Sequence, residues 1–144
     1  MGGHRVAGND HEFYELYLLD LENGKCLLSK PGYPPIAISP DGRYSLSGHK
    51  DPLNLWDLET GERIRTFNIQ IDYVKSIAFS PGGNQFLTGG SEKHLKLWDL
   101  ATGQCLRIFE GHKNEINSVA FSPDGRQVLS GGGSFGEQDN RLRL

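Results

Sequence analysis

The chain has 144 residues, enough for one ordinary domain with a core of its own. Its 15 basic and 18 acidic side chains give a net charge of −3 and are scattered rather than blocked, which excludes the basic footprint of a nucleic-acid-binding surface. No apolar run approaches the roughly 20 residues that cross a bilayer, the first residues carry no apolar signal region, and Val6 stands where a myristoylation pattern needs Ser or Thr.

Alternating apolar and polar residues in short runs, bounded by Gly, Pro, Asp and Ser, predict antiparallel strands along the chain. The first lies near Val6-Ala7-Gly8, the next over Glu15–Asp20, and a third at Cys26-Leu27-Leu28. Ile36-Ala37-Ile38 then leads into the turn Ser39-Pro40-Asp41-Gly42, and Leu55-Trp56-Asp57 forms a later strand. The best-written stretch is Val74 to Phe109. It predicts a strand through Val74, Ile77 and Phe79, the turn Ser80-Pro81-Gly82-Gly83, a strand through Phe86, Leu87 and Thr88, and a turn at Gly89-Gly90-Ser91. A third strand, Leu95–Asp99, the turn Ala101-Thr102-Gly103 and a fourth strand, Cys105–Phe109, complete a four-stranded unit. Strands over Ile116–Phe121, Gln127–Ser130 and Arg141–Leu144 follow. Gly131-Gly132-Gly133-Ser134 reads as a hairpin loop, since it lacks the lysine and helix of a phosphate cradle.

Three anchors recur in phase. Ser39-Pro40-Asp41-Gly42 returns as Ser80-Pro81-Gly82-Gly83 and Ser122-Pro123-Asp124-Gly125. Leu18-Leu19-Asp20-Leu21-Glu22-Asn23-Gly24 returns as Leu55–Gly61 and Leu97–Gly103, with Trp56-Asp57 and Trp98-Asp99 in the last two. The apolar strand before each Ser-Pro is Ile36–Ile38, Ile77–Phe79 and Val119–Phe121. From Pro40 to Pro81 to Pro123 the steps are 41 and 42 residues. Proline presets φ at the first turn corner, and Asp and Gly suit the later ones. Gly61 and Gly103 are expected at positive φ, and Trp56 and Trp98 are expected to fill space between sheets and offer one indole donor each.

A four-strand repeat of about 42 residues, with Trp-Asp closing its third strand, Ser-Pro-Asp-Gly between its first two and Gly111-His112 opening a copy, resembles the WD-repeat (WD-40) β-propeller family. The resemblance covers about Val6 to Leu144 and implies an all-β fold of four-stranded antiparallel blades, about three and a half of them, in an incomplete ring. The expected division is a single propeller segment with a partial blade at about 6–30, blades at about 31–68 and 69–110, and a partial blade at about 111–144. The regularity of the repeats suits a bacterial chain of this family.

The resemblance also implies a polar network of a His, a Ser or Thr, an Asp and the Trp indole in each blade. The copy ending at Trp56 supplies Ser47 and Asp51, with Ser29 near the His position. The copy ending at Trp98 has Thr88, with Gln70 for His and Glu92 for Asp. The last has His112, Ser130 and Asp139, and the sequence stops at Leu144, one residue before the expected Trp, so no copy is complete.

The chain reads as a fragment of a longer protein, or else as one that closes its sheets by self-association. Joining two copies would bring six strands together where a blade needs four. Cys26 and Cys105 occupy one repeat position in non-adjacent sheets, beyond the reach of a disulfide, and read as reduced strand cysteines. His4, His11, His49, His94 and His112 show no metal-ligand spacing, and no nucleophile elbow occurs. No enzyme activity, cofactor or metal is therefore expected.

What remains is a binding surface. In this architecture the loops before the first strand and between the second and third strands gather on one face. Here these are Asn68–Lys75, His112–Asn117, His49–Pro52, Ser91–His94 and the longer Gly132–Asn140. Candidate partner contacts are Tyr73, Lys75, Glu115, Asn117 and Phe135. The expected function is a cytoplasmic, non-catalytic scaffold for other proteins, without nucleic-acid or membrane partners. The alternative is a sensor or regulatory module attached to an enzyme, such as a kinase or protease, in a longer parent.

Overall fold

The computed structural model describes the backbone of residues 2–7, 11–49, 52–133 and 142–143, and the side chains of residues 14–49 and 52–133. Asp51, Phe135 and Asp139 lie outside the described residues. Within them the protein is all-β, and its strands fall into four antiparallel sheets of consecutive strands. The first sheet holds β1 (Gly2–Ala7), β2 (His11–Leu19) and β3 (Cys26–Pro31). The second holds β4 (Ile36–Ile38), β5 (Tyr44–Ser47), β6 (Leu53–Asp57) and β7 (Arg63–Phe67). The third holds β8 (Val74–Phe79), β9 (Gln85–Gly90), β10 (Leu95–Asp99) and β11 (Cys105–Phe109). The fourth holds β12 (Ile116–Phe121), β13 (Val128–Gly132) and β14 (Leu142–Arg143).

The sheets stand side by side in an unclosed arc, with β4 against β8 and β8 against β12 along its inner side. The main core lies between the second and third sheets, where Leu46, Leu55, Phe67, Ile77, Phe79, Phe86 and Trp98 are buried together. Phe86 stacks on Trp98 at 6.1 Å and meets Phe67 edge-on at 5.2 Å. A second cluster, Leu87, Leu95, Ile116 and Val119, joins the third sheet to the fourth. Burying such side chains contributes about 1.5–3 kcal/mol each, so the sheets hold one another in place through these faces. Arg65 adds a polar tie: from β7 it donates to the carbonyls of Leu100 (3.0 Å) and Ala101 in the next sheet's turn.

Each anchor has a local cause. In Ser39–Gly42 the Gly42 N–H donates to Ser39 O at 2.9 Å, Ser39 Oγ donates to Asp41 Oδ1 at 2.6 Å, and Ser39 Oγ accepts from the Tyr44 N–H at 2.9 Å. Ser122–Gly125 repeats this network through Asp124. In the middle copy Gly82 replaces the aspartate, and Ser80 Oγ turns to Asn84 Oδ1 at 3.3 Å. The aspartates after the tryptophans brace the next turn. Asp57 accepts from the Glu59 and Thr60 N–H groups, and Asp99 from the N–H and hydroxyl of Thr102. Gly61 and Gly103 take φ of 76° and 74° as those turns require.

Two expected loops are strands. β9 runs on through Gly89 and Gly90, and β13 through Gly131 and Gly132. Glycine there serves close approach rather than turning. A Cβ on Gly90 would lie 1.9 Å from Tyr73 O, and one on Gly89 would lie 2.6 Å from Ile116.

Candidate functional site

The antiparallel order puts the Ser-Pro turns and the turns after Asp57 and Asp99 at one end of the sheets. The segments entering β4, β8 and β12, and those leaving β5, β9 and β13, lie at the other. One backbone hydrogen bond ties this second end together across sheets, and others extend the strand pairing within a sheet. Val74 N donates to His49 O at 2.7 Å, so the loop after β5 is pinned to the start of β8 in the next sheet. Gly32 N donates to Tyr14 O at 2.9 Å, Ser91 N to Tyr73 O at 2.8 Å, and Gly133 N to Glu115 O at 2.9 Å.

This scaffold carries a row of rings that no single repeat contains. Tyr14 on β2, Tyr33 before β4, His49 after β5 and Tyr73 before β8 follow one another with centroid separations of 5.0, 4.8 and 5.1 Å. The Tyr33–His49 planes meet edge-on at 64°, and the two outer pairs are tilted at 49° and 52°. Tyr33 and Tyr73 keep 44% and 46% of their surface exposed, whereas His49 and Tyr14 sit lower. Tyr14, Tyr33 and His49 were missed as contact residues by sequence reading. Tyr14 and Tyr33 lie outside the loops that sequence reading placed on the binding face, whereas His49 opens the expected His49–Pro52 loop without having been singled out as a contact.

Beside the row, Lys75 at the start of β8 forms an ion pair with Glu115 and reaches Asn117 Oδ1 at 3.3 Å. Asn117 Nδ2 in turn donates to Gly133 O at 2.9 Å. Of the expected contact residues, Tyr73, Lys75, Glu115 and Asn117 thus share one end of the arc. The ion pair is solvent-exposed and contributes little to stability, so its charges are available to orient a partner.

The polar residues behind the tryptophans face sideways between sheets. Trp56 Nε1 donates to Ser47 Oγ at 2.8 Å, and the buried Trp98 Nε1 donates to the fully buried Thr88 Oγ1 at 2.9 Å. His112 Nε2 and Ser130 Oγ lie 2.7 Å apart in the fourth sheet. Gly111, just before His112, takes a φ of 141°. Three positional expectations are corrected. Ser29 is an exposed β3 residue paired with Tyr17, because β3 continues to Pro31 and brings Gly32 over Ser47 instead. Gln70 stands on an exposed stretch with a φ of 54°, whereas Thr88 and Trp98 are buried. Glu92 Oε2 lies 2.9 Å from Lys96 Nζ, an ion pair without hydrogen-bond alignment.

A cleft of about 660 Å³ opens between the third and fourth sheets, lined by residues that include Leu97, Phe109, Phe121, Val128, His112 and Ser130. It adjoins Ser130, the register equivalent of Thr88, and so lies where the preceding sheet receives its tryptophan. Among the described residues no group of His, Cys, Asp or Glu is arranged to hold a metal ion, and no helix is long and apolar enough to cross a membrane. Cys26 and Cys105 are free and exposed.

The family model described as WD domain, G-beta repeat, matches residues 61–99 and 103–144, more than half of the sequence. The chain belongs to the WD-repeat family. The four sheets are therefore blades, and the arc is a partial β-propeller with an unclosed ring. This WD-repeat chain is 34% identical over 74 residues to a protein named guanine nucleotide-binding protein subunit beta from Schizosaccharomyces pombe, a match covering 50% of the chain and 24% of that protein. It is 35% identical over 79 residues to autophagy-related protein 16 of Arabidopsis thaliana, covering 52% of the chain and 16% of that protein. An uncharacterized WD repeat-containing protein of Synechocystis is 36% identical over 56 residues, covering 38% and 16%. The matched region thus spans a quarter or less of each relative's length.

Proposed function

We propose that this WD-repeat chain is a non-catalytic scaffold that holds protein partners on the loop face at the entry to β4, β8 and β12. One observation carries the reading. The loop after β5 is hydrogen-bonded to the entry of β8, Lys75 of that entry pairs with Glu115 at the entry of β12, and half-exposed rings lie beside them. Rigid loops with mixed aromatic and charged side chains are the composition of a protein-recognition surface. The relatives are consistent with it, since one of them is named as a subunit of a larger protein. Tyr73, Lys75, Glu115 and Asn117 are the proposed contacts, and Trp56, Trp98, Ser47, Thr88 and Ser130 are the proposed structural signature behind them. We take the chain as one propeller segment with blade boundaries near residues 30, 68 and 110.

A photo-crosslinking amino acid at position 73 or 115, compared with position 81 or 124 at the opposite end, tests the reading in extracts of the source organism. Discrete protein adducts from positions 73 and 115 are expected, weakened by Lys75→Glu. Adducts arising equally from both ends, or a specific turnover abolished by changing one residue of this chain, would refute it.

A further inference from the structure

An asparagine followed by glycine carries its own electrophile and nucleophile: the amide Cγ and the next backbone nitrogen, which no Cβ shields. Among the described residues this pair occurs at Asn23-Gly24, in the turn between β2 and β3. The same turn position is Thr60-Gly61 in the second sheet and Thr102-Gly103 in the third, where no amide exists. We propose that Asn23 is a site of spontaneous covalent modification, deamidation through a succinimide, whose rate is set by opening of this turn. The turn lies at the end of the sheets opposite Tyr73 and Lys75, so its chemistry does not depend on the scaffold reading.

The folded turn presents the reacting groups with one of them held back. Asn23 is exposed, and its Oδ1 accepts from the Lys25 N–H at 2.8 Å. That donor is placed to stabilise the negative charge that develops on Oδ1 when Cγ is attacked. No hydrogen bond holds the Nδ2 leaving group among the described residues. At Gly24, whose φ is 71°, nothing lies within 4 Å of where a Cβ would stand. The restraint is the Gly24 N–H itself, which donates to Asp20 O at 2.8 Å. Asp20 Oδ1 also accepts from the Glu22 and Asn23 N–H groups at 2.8 and 3.3 Å. Reaction therefore requires the Gly24 nitrogen to leave Asp20 and pass its proton to hydroxide. It then bonds to Asn23 Cγ, the Cγ–Nδ2 bond breaks, and the nitrogen takes a proton from water and departs as ammonia. Water adds to either carbonyl of the ring, giving aspartate at 23 or an isoaspartyl link longer by one methylene. Each product adds one negative charge to the net −3, close in sequence to Asp20 and Glu22. The longer link also displaces Gly24 from Asp20 O, at the hairpin end where Asp20 N donates to Lys25 O at 2.9 Å.

Comparable pairs elsewhere are disarmed. The carboxyls of Asp41-Gly42 and Asp124-Gly125 are held ionised by the Ser39 and Ser122 hydroxyls and the Arg43 and Arg126 N–H groups, and a carboxylate resists attack. Asn117-Ser118 stands on β12 with both ends of its amide engaged, Oδ1 with Lys75 Nζ at 3.3 Å and Nδ2 with Gly133 O at 2.9 Å.

Timed incubation of the full chain in mildly alkaline buffer, followed by tryptic mapping with tandem mass spectrometry, tests the proposal. Fragment 6–25 is expected to gain the mass of an amide-to-acid exchange at position 23, resolved into aspartyl and isoaspartyl forms. One net hydrogen bond shifts an open population about fivefold, so the chain unfolded in urea should react about fivefold faster or more. Asp20→Ala, which removes two bonds that brace the turn, should speed the folded chain by a few-fold. Asn23→Thr, the residue of both other turns, should leave position 23 unmodified, and tryptophan fluorescence checks that each variant is folded. An unmodified Asn23 after a time in which a free peptide of residues 20–25 has reacted would overturn the proposal. So would equal rates in the folded and urea-unfolded chains, indifference to Asp20→Ala, or earlier modification at position 41, 117 or 124.

Discussion

Replacing Gly90 by alanine separates steric from conformational roles of glycine in this fold. Gly90 is a buried β9 residue outside the positive-φ glycines, so alanine is compatible with its backbone. The obstacle is space: the new Cβ would lie 1.9 Å from Tyr73 O and 2.9 Å from Val74 Cα, both backbone atoms that cannot rotate away. An ordinary contact needs about 3.4 Å or more, so β9 and the segment entering β8 must part by about 1.5 Å. That displacement breaks or stretches the Ser91 N to Tyr73 O bond and the Val74–Gly90 pairing. Overpacking costs about 1–3 kcal/mol and each lost hydrogen bond about 1 kcal/mol, which together give about 2–4 kcal/mol. The control is Gly82→Ala, whose Cβ would meet only the tip of the Asn84 side chain at 3.3 Å, and whose cost should stay within about 0.5 kcal/mol. Urea unfolding followed by tryptophan fluorescence reads both. At an m-value of about 2 kcal/mol/M the Gly90 variant should lose about 1–2 M in midpoint. It should also disturb the Tyr73–His49 contact and weaken any partner bound there. Equal midpoints for the two variants would refute the steric argument.

Thr88→Val removes the acceptor of the buried Trp98 indole; the stranded donor costs about 1–3 kcal/mol and the added methyl returns about 0.8, so a net loss of up to about 2 kcal/mol is expected, and a smaller one for Ser47→Ala, where Trp56 is only half-buried. Parallel urea titrations compare the two. Asp41 and Asp124 have their carboxyls held below the ordinary range, first by the Ser39 and Ser122 hydroxyls and then by the Arg43 and Arg126 N–H groups. A depressed folded pKa contributes stability that is present above the unfolded value of about 3.9 and is lost as pH falls through the folded one. Midpoints measured from about pH 6 to about pH 3 should therefore fall less steeply in an Asp41→Asn, Asp124→Asn double variant than in the parent. Arg65→Lys should cost about 1 kcal/mol, because an ammonium cannot span the Leu100 and Ala101 carbonyls while lying over Phe67; an unchanged midpoint would remove Arg65 as an inter-blade tie.

Strand positions, turn chemistry and the phase of the repeat were legible in the residues, because each depends on neighbours within about ten positions. Ser39 meets Asp41 and Tyr44, Asp57 meets Glu59 and Thr60, and Trp98 meets Thr88 across one hairpin. Spacing failed where the loop changed length, as at Ser29, where β3 extends to Pro31 and puts Gly32 over Ser47. It also failed at Gly89, Gly90, Gly131 and Gly132, since glycine marks a turn and a close approach with the same letter.

The sequence by itself determined the kind of sheet and the order of strands, through alternation and turn chemistry, and the tryptophan partnerships followed from the family resemblance that the repeats carry. Only the tertiary structure decided which side chains meet across sheets. Tyr14, Tyr33, His49 and Tyr73 come together from strands and loops of different sheets, and Arg65 finds carbonyls 35 and 36 residues away. The physical reason is that contacts between blades are set by how twisted sheets stack and where their loops end, and one sheet's local pattern carries no record of its neighbour's loops.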